Sequence, residues 1–273
     1  MLALLLFAAC SPGTPSPSRS AAEADAPGSA PESAPPVEEP GAPGGDALER
    51  ESAAERAAPP AGPSEPLSLD VPGFGPALVV LAEGAMEPLP LLVAAHGAGD
   101  SPEWQCEHWS GVAGGRYVIL CPRGTSLGGG GYYFKNHIEL EKELVAALAA
   151  LRKAHGASVR EGAGVYTGYS QGATMGSLMI VNHGANFPYL LLVEGGSGEW
   201  TLGRAKRFLA SGGKSVGFVC GGSGCARRAE KSAKALERAG MRARVEHVEG
   251  GGHTYVGPVG ERARELLDGW LLD

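Results

Sequence analysis

Four times the chain runs through five to seven consecutive apolar or small residues and then stops at a turn: Leu89–Ala95, Tyr117–Cys121, Tyr189–Val193 and Ser215–Cys220. A strand that is apolar on every residue has no solvent face, so each of these runs requires a sheet covered on both sides. Ile138 to His155 has helical spacing, with Leu140, Leu144, Ala147, Leu148 and Leu151 on one face. A further strand over Gly164–Gly168 leads into an Ala/Met/Leu-rich helix. A helix from about Ala226 to Ala239 precedes a last strand at Arg242–Val248, and a final helix extends to Leu272. Strands alternating with helices predict an α/β fold with a mostly parallel central sheet and helices on both faces. Leu67–Val71 and Ala77–Leu81, broken by Pro72-Gly73-Phe74-Gly75-Pro76, read as an antiparallel opening hairpin.

Composition limits this fold to part of the chain. Residues 11–66 are dominated by Pro, Ala, Gly, Ser and Glu. Such a stretch buries too little apolar surface to offset its chain entropy, so it is expected to be a disordered linker. The globular domain is therefore expected over 67–273. Of the 30 acidic and 23 basic residues, ten and three lie between Met1 and Glu65, leaving the remainder with no net charge. The domain thus carries no charge excess that would suit nucleic acid, whereas an acidic linker repels itself and extends like a tether.

Gly168-Tyr169-Ser170-Gln171-Gly172 matches G-x-S-x-G between an expected strand and an expected helix. A sharp turn there lifts the Ser170 hydroxyl above the sheet, and the helix that follows aims its N–H groups at developing negative charge. His96-Gly97-Ala98-Gly99 ends the Leu89–Ala95 strand, where glycines let a backbone N–H approach a substrate oxygen. Gly97, Ala98 and Gln171 are the candidate oxyanion-binding residues, and His96 is expected to be structural. His253 follows the last strand and precedes the final helix, a loop position from which a general base can reach the serine. Among the other histidines, His137 and His155 flank a helix, His183 lies in a loop and His247 in a strand.

On these three motifs, in this order, the domain resembles an α/β-hydrolase of the esterase, lipase and polyhydroxybutyrate-depolymerase-like kind over about Leu67 to Asp273. The resemblance implies hydrolysis of a small-molecule ester by Ser170, His253 and an acid, with no metal and no organic cofactor. It also implies an acid after the strand at Ser215–Cys220. This chain reads Cys220-Gly221-Gly222-Ser223-Gly224-Cys225 there, without a carboxylate. Glu194, at the end of the preceding strand, is the leading substitute, with Asp100 and Glu199 behind it. The gap leaves open a second function, a non-catalytic binding domain of the cell envelope. Tyr169 is expected to help shape the pocket, and the glycine run with Tyr132, Tyr133 and Phe134 forms either a lid, an acyl-group wall or a plain surface loop.

Met1 to Cys10 is a short apolar stretch, too short for a spanning helix, and reads as a signal peptide. Its end, Phe7-Ala8-Ala9-Cys10, resembles a bacterial lipobox. That implies lipidation at Cys10 and a periplasmic, membrane-tethered location; a misassigned start or an ordinary cleaved signal is the alternative. The other four cysteines suit an exported protein with two disulfides, and proximity favours Cys106–Cys121 and Cys220–Cys225. Four buried thiols are the alternative, and neither pair has a Cys-x-x-Cys zinc spacing.

Overall fold

The computed structural model describes residues 64–272. The signal peptide, the Cys10 lipidation site and nearly all of the linker lie outside the described residues. Among the latter no helix is long and apolar enough to cross a membrane.

Ten strands form. They are β1 (Leu67–Leu69), β2 (Ala77–Val80), β3 (Leu89–Ala95), β4 (Val118–Cys121), β5 (Thr125–Gly128), β6 (Gly131–Tyr133), β7 (Val159–Tyr169), β8 (Tyr189–Val193), β9 (Ser215–Cys220) and β10 (Arg242–His247). Eight of them make one sheet in the order β1-β2-β4-β3-β7-β8-β9-β10, while β5 and β6 pair as a separate hairpin. β3, β4, β7, β8, β9 and β10 run parallel, and β2 is antiparallel to both β1 and β4. The expected opening hairpin and parallel sheet are therefore both present.

Six α-helices among the described residues cover the sheet: α1 (Pro102–Ala113), α2 (His137–His155), α3 (Gln171–Met179), α4 (Leu202–Ala210), α5 (Ser223–Arg238) and α6 (Gly257–Gly269). Alternate residues of the all-apolar strands point to opposite faces. Leu91, Val93 and Ala95 of β3 join the core under α2, α3, α4 and α5, with Leu144, Tyr166, Phe208 and Ala229. Leu92 and Ala94 join the core under α1 and α6, with Trp109, Val193 and Leu266. Each face of the sheet thus has its own core, as double burial requires.

Four elements escape the apolar pattern. α1 buries Gln105 and Ser110 beside Cys106 and Trp109, so polar residues interrupt its apolar stripe. α4 buries only Ala205 and Phe208. β5 and β6 carry no fully buried residue; their pairing comes from the turn glycines Gly128, Gly129 and Gly130, all at positive φ. α5 begins at Ser223, three residues before the expected Ala226. Only Gly221 and Gly222 separate it from β9, so its first turn occupies the space where an acid-bearing loop would stand.

Candidate active site

The parallel strands deliver the candidate residues to one edge of the sheet. β7 ends at Tyr169 and α3 begins at Gln171, leaving Ser170 alone to turn the chain, at φ 49° and ψ −107°. A non-glycine residue pays strain there. The turn is held because the Ser170 N–H donates to Val193 O at 2.9 Å and Thr174 N–H to Ser170 O at 3.0 Å. The flanking glycines are required by space. A Cβ on Gly168 would lie 2.6 Å from Ala173 N, and one on Gly172 would collide with the Ala95 carbonyl.

Among the described residues, the non-glycine residues at positive φ are Ser170 and Glu194. Glu194 follows β8 directly, at φ 51°, with its N–H donating to Val219 O at 2.9 Å. That kink turns the carboxylate across the end of β9. Oε1 accepts the Gly221 N–H and, at 3.0 Å, the Gly222 N–H. Oε2 lies 3.0 Å from His253 Nδ1, and His253 Nε2 lies 2.8 Å from Ser170 Oγ. The Glu194 side chain is 5% exposed and that of His253 58%. A buried carboxylate held by two amides is therefore within hydrogen-bond distance of an imidazole that is open to solvent. The glycines after β9, where the resemblance implies an acid, instead donate to the Glu194 carboxylate from the neighbouring strand.

The other acid candidates stand apart. Asp100 Oδ1 accepts the Ser101 N–H at 2.7 Å and Oδ2 the Gln105 Nε2–H at 2.9 Å. Glu199 makes no hydrogen bond with a described residue. His108, unremarked in the sequence, lies in α1 with its ring edge-on to Tyr255, 4.9 Å away. Burial lowers its pKa to about 4, an effect that Asp100 opposes.

Ala98 is exposed between β3 and α1, while Gly97 and His96 are buried. The His96 ring bridges two carbonyls, with Nδ1 2.7 Å from Gly97 O and Nε2 2.8 Å from Arg123 O. Gly97 O also accepts the Asp100 N–H at 3.2 Å. In a trans peptide the C=O and the following N–H point in opposite directions, so pinning Gly97 O inward turns the Ala98 N–H outward. A Cβ on Gly97 would lie 3.3 Å from Ser170 Cβ, which puts this loop beside the serine. Gln171, first residue of α3, offers a second N–H. His96 thus has the structural part expected of it.

The β5–β6 hairpin, where the sequence allows a lid, an acyl-group wall or a plain surface loop, braces both segments that carry the candidate N–H donors. Gly99 N–H donates to Tyr132 O and Tyr132 N–H to Asp100 O, each at 2.8 Å. Phe134 N–H donates to Gln171 Oε1 at 2.8 Å, and the Phe134 ring stacks on His96 at 4.5 Å. The four-glycine run between Ser126 and Tyr132 was the available signal for such a turn. Tyr132 and Tyr133 are half-buried, and Phe134 is buried.

The structure bonds Cys106 to Cys121 and Cys220 to Cys225, with Cα–Cα distances of 5.9 and 5.5 Å. The first ties α1 to β4. The second spans the two glycines that bind Glu194. Glu194, Cys220 and Cys225 also bring metal-ligand atom types together, but both sulfurs are in the disulfide and the carboxylate is occupied by His253 and the two amides.

No protein-family model matches the sequence, and no curated protein is significantly similar to it. Solved structures do match. A Thermus thermophilus protein aligns at 20% identity with TM-score 0.57, over 76% of this chain and 98% of its own. Carboxyl esterase 2 of the fungus Tuber melanosporum aligns at 13% identity and TM-score 0.56, over 78% and 87%. The Bacillus cereus carboxylesterase aligns at 19% identity and TM-score 0.54, over 70% and 92%. Together with the strand order, these likenesses establish the α/β-hydrolase fold for residues of the domain.

Proposed function

We propose that this protein is a serine-dependent carboxylic ester hydrolase. The carrying observation is the relay from Glu194 Oε2 through His253 to Ser170 Oγ, with hydrogen-bond spacings of 3.0 and 2.8 Å. The names of the Tuber and Bacillus neighbours agree with it. A closer kinship with polyhydroxybutyrate-depolymerase-like esterases rests on the Ser170, His96-Gly97 and His253 motifs alone.

Ser170 Oγ attacks the ester carbonyl as its proton passes to His253 Nε2, and Glu194 stabilises the resulting imidazolium. The carbonyl oxygen, now negative, accepts from the Ala98 and Gln171 N–H groups. The tetrahedral species collapses, His253 protonates the departing alkoxide, and an acyl-serine remains. Water, deprotonated by His253, then attacks the acyl-serine; Ser170 leaves and recovers its proton as the acid is released. The exposed imidazole favours an ester that reaches the site from open solvent. The binding-only alternative drew its support from the carboxylate missing after β9, and Glu194 fills that role. Reaction with a fluorophosphonate, and its loss in Ser170→Ala, tests the proposal.

The Cys220–Cys225 bridge has a defined task within it. Cutting the bridge frees the Gly221-Gly222 segment, and with it the amides that fix the triad acid. A Cys220→Ser/Cys225→Ser variant is expected to lose about fivefold to tenfold in kcat, equivalent to about one hydrogen bond, with KM little changed. An unchanged kcat would mean that the amides hold Glu194 without the bridge.

For location, the proposal is export and anchoring of the domain to the bacterial envelope through lipidated Cys10. One acyl chain binds a membrane marginally, whereas several anchor it stably. Wild-type protein is expected in the membrane fraction and Cys10→Ser protein out of it or unprocessed. Wild-type protein found wholly in the soluble periplasmic fraction would rule out the anchor.

A further inference from the structure

Tyr169, the residue before the nucleophile, reaches further than a pocket wall would. Its hydroxyl donates to the main-chain carbonyl of His253 at 2.8 Å, across 84 residues of sequence. Its ring packs 5.3 Å from the His253 ring and 4.7 Å from that of Tyr255, measured between centroids. The same ring closes on the oxyanion segment, where a Cβ on Gly97 would lie 2.8 Å from Tyr169 Cδ1. One side chain therefore touches three loops: the serine turn that carries it, the β3–α1 loop with the oxyanion donors, and the β10–α6 loop with the base.

The base loop needs such a support. From Gly250 to Gly257 it contains three glycines at positive φ, Gly250, Gly252 and Gly257, and its backbone bonds are short turns such as Thr254 N–H to Gly252 O at 3.2 Å plus one longer tie, from Gly252 N–H to Gly221 O at 3.3 Å. The His253 side chain is more than half exposed, so packing alone holds it weakly.

We propose that Tyr169 is a positioning residue of this site, holding the His253 backbone through its hydroxyl and seating the Gly97–Ala98 segment through its ring. Burial, and then the nearby carboxylates of Asp100 and Glu194, push the Tyr169 phenol above its ordinary range, so it remains a donor wherever the enzyme works. The inference rests on the reading of Ser170 and His253 as nucleophile and base, and adds a residue that acts through the second of them.

Tyr169→Phe separates the two contacts, because the phenyl ring keeps its packing on Gly97 while the bond to His253 is lost. Full-length Tyr169→Phe protein is expected to melt close to the wild type. Its kcat for p-nitrophenyl acetate should fall about fivefold to tenfold, the effect of one hydrogen bond, with KM within about twofold because ground-state binding is untouched. The rate of fluorophosphonate labelling should fall in parallel. In a His253→Ala background the same substitution should leave the residual labelling rate unchanged, since a group acting through His253 has nothing left to position. A wild-type kcat in Tyr169→Phe, a change confined to KM, or an equal loss in both backgrounds would overturn the proposal. A Ser170→Ala enzyme that kept its activity would instead overturn the underlying Ser–His reading, whatever Tyr169→Phe did.

Discussion

Ser170→Ala protein is expected to hydrolyse p-nitrophenyl acetate roughly 10⁴- to 10⁶-fold more slowly in kcat than the wild type, while folding normally. No other hydroxyl is held within hydrogen-bond distance of His253 Nε2 among the described residues, so nothing can substitute for Oγ. The turn itself is kept by backbone bonds from Ser170 N–H to Val193 O and from Thr174 N–H to Ser170 O, which alanine retains. Nucleophile and base act as a unit, so adding His253→Ala should cost little more. Wild-type turnover in the single variant would place the chemistry elsewhere.

Glu194→Gln is expected to lower kcat by roughly 10²- to 10⁴-fold with KM nearly unchanged. The argument is one of proton placement. Gly221 and Gly222 present two N–H donors to one carboxylate oxygen, so the glutamine must turn its carbonyl oxygen toward them. Its NH₂ group then faces His253 Nδ1, which becomes an acceptor. The imidazole is forced to carry its proton on Nε2, the atom that must take the proton from Ser170. The charge that would stabilise the imidazolium is lost as well. Binding of the neutral ester involves neither effect, so the loss belongs to the transition state. A variant within a few-fold of the wild type would show that Ser170 and His253 work as a dyad.

The sheet was legible in the sequence because strands buried on both faces need unbroken apolar runs, and Leu89–Ala95 and Ser215–Cys220 match β3 and β9 residue for residue. The positions of Ser170 and His253 were legible for a different reason: a strained turn needs glycines on both sides, and the α/β-hydrolase resemblance implies a histidine in the last strand–helix loop. Glu194 could be reached only as the carboxylate nearest to a gap. Its fixing feature, a pair of glycine amides from the next strand, is backbone and leaves no side-chain signature. α1 stayed hidden because its buried face includes Gln105, whose carbonyl oxygen accepts the Trp109 Nε1–H at 3.1 Å and whose amide reaches Asp100. A polar network inside a helix face erases the apolar period that would have announced it. The link from Tyr169 to His253 joins a side chain to a distant carbonyl, a contact on which sequence pattern is silent.

The most direct measurement of the central claim is mass-spectrometric mapping of the full-length protein after exposure to a fluorophosphonate, which phosphonylates only a serine activated by its base. The account predicts one adduct, on the peptide carrying Gly168-Tyr169-Ser170-Gln171-Gly172, absent from Ser170→Ala and strongly slowed in His253→Ala. An unlabelled wild-type protein, or an adduct that persists in Ser170→Ala, would contradict it.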